Sequence, residues 1–344
     1  MTSKALAHYY KILEGDAKAG YLLAKKHMVQ VDLNDREEVL WKAHDSALAE
    51  EHMKGVREGN NSLLDLKTRL ANRMLKNCTL CERRCEVNRQ EGNKGHCRVL
   101  DARISSDFIH TGEEPDLTPS YTVFFTGCTF DCVYCQNWDI STRPDSGSII
   151  EADELAQRIE RQAPRSGLPK GLGTMLGRAR NVNWVGGDPT SNLPFILTVL
   201  RECSADIPQV WNSNMYLTEE SMRLLDGVID VYLTDFKYGN DKCALRLSNA
   251  PEYMRIVTRN HLMAMKNAEM IVRHLVLPGH VECCTLPALT WISENLKDVK
   301  VNVMSQYRPE HRAREFPELS GYLTEEDYYR SLKIAERLGL DLCY

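Results

Sequence analysis

The stretch Tyr121-Thr-Val-Phe-Phe125-Thr-Gly127-Cys128-Thr-Phe-Asp-Cys132-Val-Tyr134-Cys135-Gln-Asn137 decides how the rest of the chain is read. An apolar run rich in aromatic and β-branched residues stops at a glycine. Three cysteines then follow at C-x3-C-x2-C spacing inside one short loop. The run reads as a buried strand that ends in a turn. Three thiolates this close can each reach a different iron of a single 4Fe–4S cube, which leaves the fourth iron open. Common electron-transfer clusters take four cysteines, so three point to a small molecule that completes the coordination. A zinc site lacking one ligand, or plain buried thiols, is the competing reading of the loop taken alone.

Downstream of the loop, strand and helix patterns alternate. Strands are expected at Tyr121–Thr126, Val182–Val185, Gln209–Asn212, Val228–Thr234, Met270–Leu277 and Val301–Met304. Helical periodicity falls between and after them at Asp153–Gln162, Asn192–Cys203, Thr218–Leu225, Glu252–Lys266 and Thr324–Leu338. Strands separated by helices pair in parallel. Residues 121–344 hold about six such units, whereas a full eight-unit barrel takes about 250 residues. The expectation is therefore an α/β fold, a partial (β/α)6 TIM-like barrel over 121–344. Residues 77–120 read as a Cys-rich metal-binding segment inserted before it.

Residues 1–76 read as a helical N-terminal domain. Tyr9, Ile12 and Leu13 recur at helical spacing, as do Leu63, Leu66, Leu70 and Met74 after the breaker Gly59-Asn60-Asn61. No catalytic cluster stands out there, and a packing or docking role is expected.

Composition bounds the function classes. The 344 residues carry net charge −5, with 43% hydrophobic and 26% charged residues, which is a chain able to bury a core. The longest apolar-rich stretch, Leu193 to Leu200, is broken by Pro194 and Thr198 and falls far short of the ~20 residues of a membrane span. The start lacks the apolar run of a secretory signal, so a cytoplasmic location is expected. An acidic balance with no basic, aromatic stripe argues against nucleic-acid binding.

Twelve cysteines in such a chain are expected to be reduced thiols, and clustered ones point to metal before disulfides. Cys78, Cys81, Cys85 and Cys97 form a C-x2-C-x3-C-x11-C group among Arg83, Arg84, Arg89, Lys94 and Arg98. Four thiolates can close a site around zinc, mononuclear iron or a second 4Fe–4S cluster, and the flanking positive charge would offset theirs. Cys203, Cys243 and Cys343 read as buried thiols. The vicinal pair Cys283-Cys284 could serve redox chemistry, but packing at a helix start is the simpler expectation.

Later landmarks repeat at or near strand ends: Gly186-Gly187-Asp188-Pro189-Thr190, Asp235-Phe236-Lys237, Arg273-His-Leu-Val-Leu-Pro278-Gly279, and Met304-Ser-Gln306-Tyr307-Arg308-Pro309. Together with the cysteine loop, in this order, they resemble the radical S-adenosylmethionine superfamily. Within it the chain is similar to the pyruvate formate-lyase activating enzyme branch and its little-characterised relatives. The likeness runs from Cys78 to about Arg308.

The resemblance implies that Cys128, Cys132 and Cys135 hold the 4Fe–4S cluster. It also implies S-adenosylmethionine contacts from Tyr134, Gly186, Gly187, Asp188, Asn214, Asp235, Lys237, Arg273 and Gln306. The branch often has Glu where this chain has Asp188, so that side chain departs from the pattern. Strand alternation places Asp235 and Lys237 on one face and sends Arg273 and His274 to opposite faces. A plain ion pair is the simpler account of the first two, and a surface or helix-packed imidazole of His274. The glycine-rich residues 167–180 read as a loop without Walker spacing, either a substrate lid or inert.

The implied function is an anaerobic oxidoreductase chemistry. S-adenosylmethionine is cleaved reductively to a 5′-deoxyadenosyl radical, which abstracts hydrogen from a protein or peptide, as in glycyl-radical activation. An electron donor such as ferredoxin or flavodoxin is implied as a partner. The alternatives are a radical post-translational modification, including cobalamin-dependent C-methylation, and a non-catalytic zinc-binding adaptor. No Asp-x-His-x-x-Gly cobalamin signature is present.

Overall fold

The computed structural model describes residues 4–49, 59–164 and 177–343. Most of the loop expected at 167–180 lies outside the described residues. The strands are β1 (Met28–Val29), β2 (Asn61–Ser62), β3 (Arg103–His110), β4 (Ser120–Phe125), β5 (Ser148–Ile149), β6 (Asn181–Gly186), β7 (Gln209–Ser213), β8 (Val231–Asp235), β9 (Glu269–Leu275), β10 (Lys300–Met304) and β11 (Asp341–Leu342).

β1 and β2 form a small antiparallel ladder of their own. The other nine strands make one sheet, ordered β11-β10-β9-β8-β7-β6-β4-β3-β5. From β4 to β11 every neighbouring pair is parallel. β3 runs antiparallel to β4, and β5 antiparallel to β3. The sheet ends, β11 and β5, are not hydrogen-bonded to each other, so the barrel stays open along one side.

The six expected strands are β4, β6, β7, β8, β9 and β10. A helix follows each, at Ala152–Gln162, Leu193–Glu202, Glu219–Leu225, Asp241–Ser248 with Tyr253–Asn267, Leu286–Asn295 and Glu325–Arg337. The helix starts are set locally. Thr218, Asn240 and Thr324 each accept a backbone N–H three residues on, satisfying a donor that the first turn leaves unpaired. β7 and all of β8 but its last residue are buried, as parallel strands covered by helices must be. Sequence periodicity missed β3, whose outward side chains alternate poorly and which forms a hairpin on the outer edge.

The first residues close the base of the barrel. Leu6 and Tyr9 pack with Leu117, Val210, Val231, Leu233 and Ile271 in a cluster on the barrel axis. The backbone N–H groups of His8 and Tyr9 donate to the Glu269 carboxylate at 2.6 and 2.7 Å, at the start of β9. Asn181 donates to the Tyr9 hydroxyl at 2.9 Å. Helix Leu63–Met74 begins with a Ser62–Asp65 capping box, and its buried face, from Leu63 to Met74, belongs to the main core.

Candidate functional site

The Cys128 loop leaves the carboxyl end of β4, where a parallel barrel presents its chemistry. Two glycines let it sit against the next strand. A Cβ on Gly187 would stand 2.1 Å from the Gly127 carbonyl oxygen, and one on Gly186, at φ +135°, 2.1 Å from that of Phe125. The gap is closed by backbone hydrogen bonds from Gly187 to Phe125 at 3.0 Å and from Asp188 to Gly127 at 3.1 Å. The pair is thus required by the protein's own backbone, whatever it also does for a ligand.

Around the three thiols stand donors aimed at sulfur. The Phe130 N–H lies 3.4 Å and the Asn214 side-chain amide 3.8 Å from Cys128 Sγ. Ser248 Oγ lies 3.0 Å from Cys132 Sγ, and Ser141 Oγ 3.3 Å from Cys135 Sγ. Burial pushes the Cys128 thiol well above its usual range, and Asp188, Cys132 and Cys135 add to that. Burial also raises Cys132, to about 11, although the Lys237 ammonium beside it pulls the other way. Three crowded thiols ringed by hydrogen-bond donors are a donor set that iron would complete, because its positive charge relieves their repulsion. The residues fit the cluster.

Asp188 is fully engaged by the protein. It accepts the Thr190 N–H, the Ser213 hydroxyl and the Asn214 N–H, all at 2.9 Å, and so fastens the end of β6 to that of β7. Burial raises its pKa. Asn214 in turn holds Thr129 at 2.9 Å inside the loop. Tyr134 turns into the core, its hydroxyl 2.7 Å from that of Tyr238, which contacts Ser248.

Asp235 and Lys237 form an ion pair of 2.7 Å at the end of β8, partly open to solvent. Burial works against the Lys237 charge, but Asp235 and Cys132 outweigh it and hold the ammonium above its usual range. Gln306 is exposed in the segment after β10, where its carbonyl accepts from the Gln136 side chain at 2.8 Å.

Arg273 does point inward, opposite Asp235 in register. It is taken up, however, by two carboxylates from the β3–β4 connection. Glu114 grips it through both oxygens at 2.7 Å, and Glu113 adds a further contact. Asn302 and Asn183 hold those carboxylates from neighbouring strands at 2.8 and 3.0 Å. Two adjacent glutamates ahead of an apolar strand carry no period, so nothing in the sequence announced them. His274 faces the opposite side, bonded to the Phe236 carbonyl at 2.7 Å and to Thr285 Oγ1 at 2.9 Å, so of the two expected settings, surface or helix-packed, it takes the buried, helix-packed one.

The Cys78–Cys97 segment lies directly against the Cys128 loop. Arg83 donates to the Thr129 carbonyl at 3.0 Å, and His96 stands 3.2 Å from Asp131. That contact comes first among those holding the Asp131 carboxyl down at about 2. Cys81 is half-buried beside Cys97, Cys78 and Cys85, and the His96 N–H donates to Cys85 Sγ at 3.2 Å. A third group was not expected. Cys243, His280, Cys283 and Cys284 place their ligand atoms within 4.8 Å of one another. Cys243 and Cys343, expected as buried thiols, are only partly buried, and of the vicinal pair Cys284 is buried and Cys283 exposed.

An open parallel barrel with a three-thiol loop at the carboxyl end of its first parallel strand defines an iron–sulfur enzyme class. Residues 122–292 match the family model of the radical SAM superfamily, and the chain belongs to that superfamily. An uncharacterized protein of Methanocaldococcus jannaschii is 43% identical over 354 residues, covering 98% of this chain and 99% of that one. Streptococcus suis SuiB bound to its precursor peptide SuiA is similar at 12% identity and TM-score 0.45, over 62% of this chain. A second SuiB structure is similar at 12% identity and TM-score 0.42, over 89% of this chain. The chain spans 46% and 59% of the length of those two SuiB chains. Among the described residues no helix is long and apolar enough to cross a membrane.

Proposed function

We propose that this radical SAM enzyme abstracts hydrogen from a protein or peptide substrate at the mouth of its barrel, in the manner of an activating enzyme. The observation that carries the reading is a barrel closed at one end and chemically furnished at the other. Leu6, Tyr9 and Leu117 fill the base, the Glu113–Glu114–Arg273 group lies farther up at the level of Asp235, and the Cys128 loop and the Asp235–Lys237 pair sit at the mouth.

Cys128, Cys132 and Cys135 would hold a 4Fe–4S cluster. When bound, the cluster and S-adenosylmethionine supply a one-electron reductive cleavage that yields a 5′-deoxyadenosyl radical. The chain's own residues provide placement. Asp235 and Lys237 present a carboxylate and an ammonium beside Cys132, suited to ribose hydroxyls or to the methionine end. Gly186 and Gly187 keep the adjoining backbone close and bare. The plugged base keeps water and stray hydrogen donors off the axis. The side left open between β5 and β11 gives a chain-like substrate lateral access.

Beside Cys132 opens a pocket of about 470 Å³ that Arg98, Arg246 and Arg312 line together with Asp131, Arg246 and Arg312 being paired with Glu318 and Glu315. These polar groups offer an electron donor of the ferredoxin or flavodoxin kind a place to dock beside the cysteine loop. The Cys78–Cys97 group, packed on the loop, is read as a second metal site.

The test is anaerobic reconstitution, reduction and addition of S-adenosylmethionine, with 5′-deoxyadenosine as the readout. Cys132→Ala is expected to abolish that product with the fold retained. Cys81→Ala is expected to lower metal content or stability instead. Cleavage that survives Cys132→Ala would refute the assignment.

A further inference from the structure

We propose that Cys243, His280, Cys283 and Cys284 form a tetrahedral site for a zinc-class divalent ion, separate from both cysteine groups already described. The ligands come from two strand-to-helix junctions. Cys243 lies in the first turn of helix Asp241–Ser248 after β8, and the other three follow β9. His280 Nδ1 stands 3.7 Å from Cys243 Sγ, 3.2 Å from Cys283 Sγ and 3.8 Å from Cys284 Sγ. Cys283 Sγ is 3.9 Å from both other sulfurs.

These are the edges of a coordination tetrahedron. With Zn–S near 2.3 Å and Zn–N near 2.0 Å, sulfur–sulfur edges come to about 3.8 Å and sulfur–nitrogen edges to about 3.5 Å. A 4Fe–4S cube would spread its cysteines much further apart, since each binds a different iron.

The surroundings suit a metal. His280 is buried and among the described residues its other nitrogen, Nε2, finds no hydrogen-bond partner, yet it faces Glu318 at 3.8 Å, and a carboxylate commonly orients a ligating imidazole. Glu318 is itself paired with Arg246, which adds positive charge to offset three thiolates. The Gly239 backbone N–H donates to Cys284, and the Asn240 amide approaches it at 3.9 Å.

A metal here would tie the loop after β9 to the start of helix Asp241–Ser248. The far end of that helix carries Ser248, whose hydroxyl reaches Cys132. The ion's role is therefore to hold the scaffold behind the Cys128 loop.

The test uses the full-length chain, loaded anaerobically with Zn2+ or Co2+. Cys283→Ser and His280→Ala are each expected to lose about one tightly bound zinc per chain and to keep their iron, while His280→Cys retains the zinc. The Co2+ form of the wild type should show strong tetrahedral visible absorption that Cys283→Ser diminishes. Wild-type protein gives a reading independent of folding in variants. Cys283 is exposed, so a maleimide should label it only after a strong chelator removes the metal. Prompt labelling with zinc present, unchanged zinc in Cys283→Ser, or a loss of about four irons in that variant would each overturn the proposal.

Discussion

Gly187 and Ser248 show how single positions shape the cysteine loop. A methyl group at Gly187 has backbone on two sides, 2.1 Å from the Gly127 oxygen and 3.0 Å from the Ser141 Cα, and backbone cannot rotate away. Gly187→Ala should destabilise the protein by about 1–3 kcal/mol or more and lower the iron it retains after reconstitution. Among the described residues nothing lies within 4 Å of a Cβ added at Gly321, so Gly321→Ala should leave the thermal midpoint level or slightly raised. Equal melting temperatures for the two variants would contradict the packing argument. Ser248 acts through a hydrogen bond to sulfur rather than through volume. Such bonds stabilise the more negative, reduced state of a cluster. Ser248→Ala should therefore retain four-iron loading and shift the midpoint of a redox titration to more negative potential.

The strand ends explain which parts of the site could be read from sequence. Alternation along β9 separated Arg273 from His274, and past the end of β8 it put Asp235 and Lys237 on one face, where they pair, while Thr234 between strand and helix meets His261. Local spacing also announced the Cys128 loop. What it could not announce were partners from distant segments, namely Glu114 on Arg273, Ser248 on Cys132, and Cys243 beside His280. These meet because the sheet brings strand ends together, and no period in the chain encodes that.

The outer face of the same two strands carries a pH dependence. His261 bonds to Thr234 at 2.8 Å and His274 to Thr285 at 2.9 Å, clamping β8 and β9 to the covering helices. Burial drives both imidazoles down to about 4. Between that value and the ordinary 6.5 the unfolded chain binds protons that the folded chain refuses. Their stabilisation is therefore whole above pH 6.5 and fades as pH falls toward 4, by about 3 kcal/mol for each imidazole. Urea unfolding at a series of pH values should show that slope, and His274→Gln should flatten it. A slope unchanged in His274→Gln would mean other groups dominate.

At the scale of the whole molecule, the N-terminal residues and the barrel are one structure. Composition and periodicity set 1–76 apart as helical, because helix and strand periods differ. They could not show where those helices dock. Tyr9 is fully buried on the barrel axis, bonded to Asn181 and packed with residues of β7, β8 and β9. The β3–β4 connection completes the closure, with Lys300 and Tyr10 meeting on Asp116. Because this plug and the cysteine loop lie at opposite ends of the strands, stability and chemistry should separate. Tyr9→Ala should lower the unfolding free energy by about 3–5 kcal/mol, the usual cost of emptying a buried aromatic site. At temperatures where that variant remains folded, its iron content and its cleavage of S-adenosylmethionine should stay close to wild type. If the first residues were instead a docking module standing apart from the barrel, Tyr9→Ala would leave the unfolding midpoint of the barrel where it was.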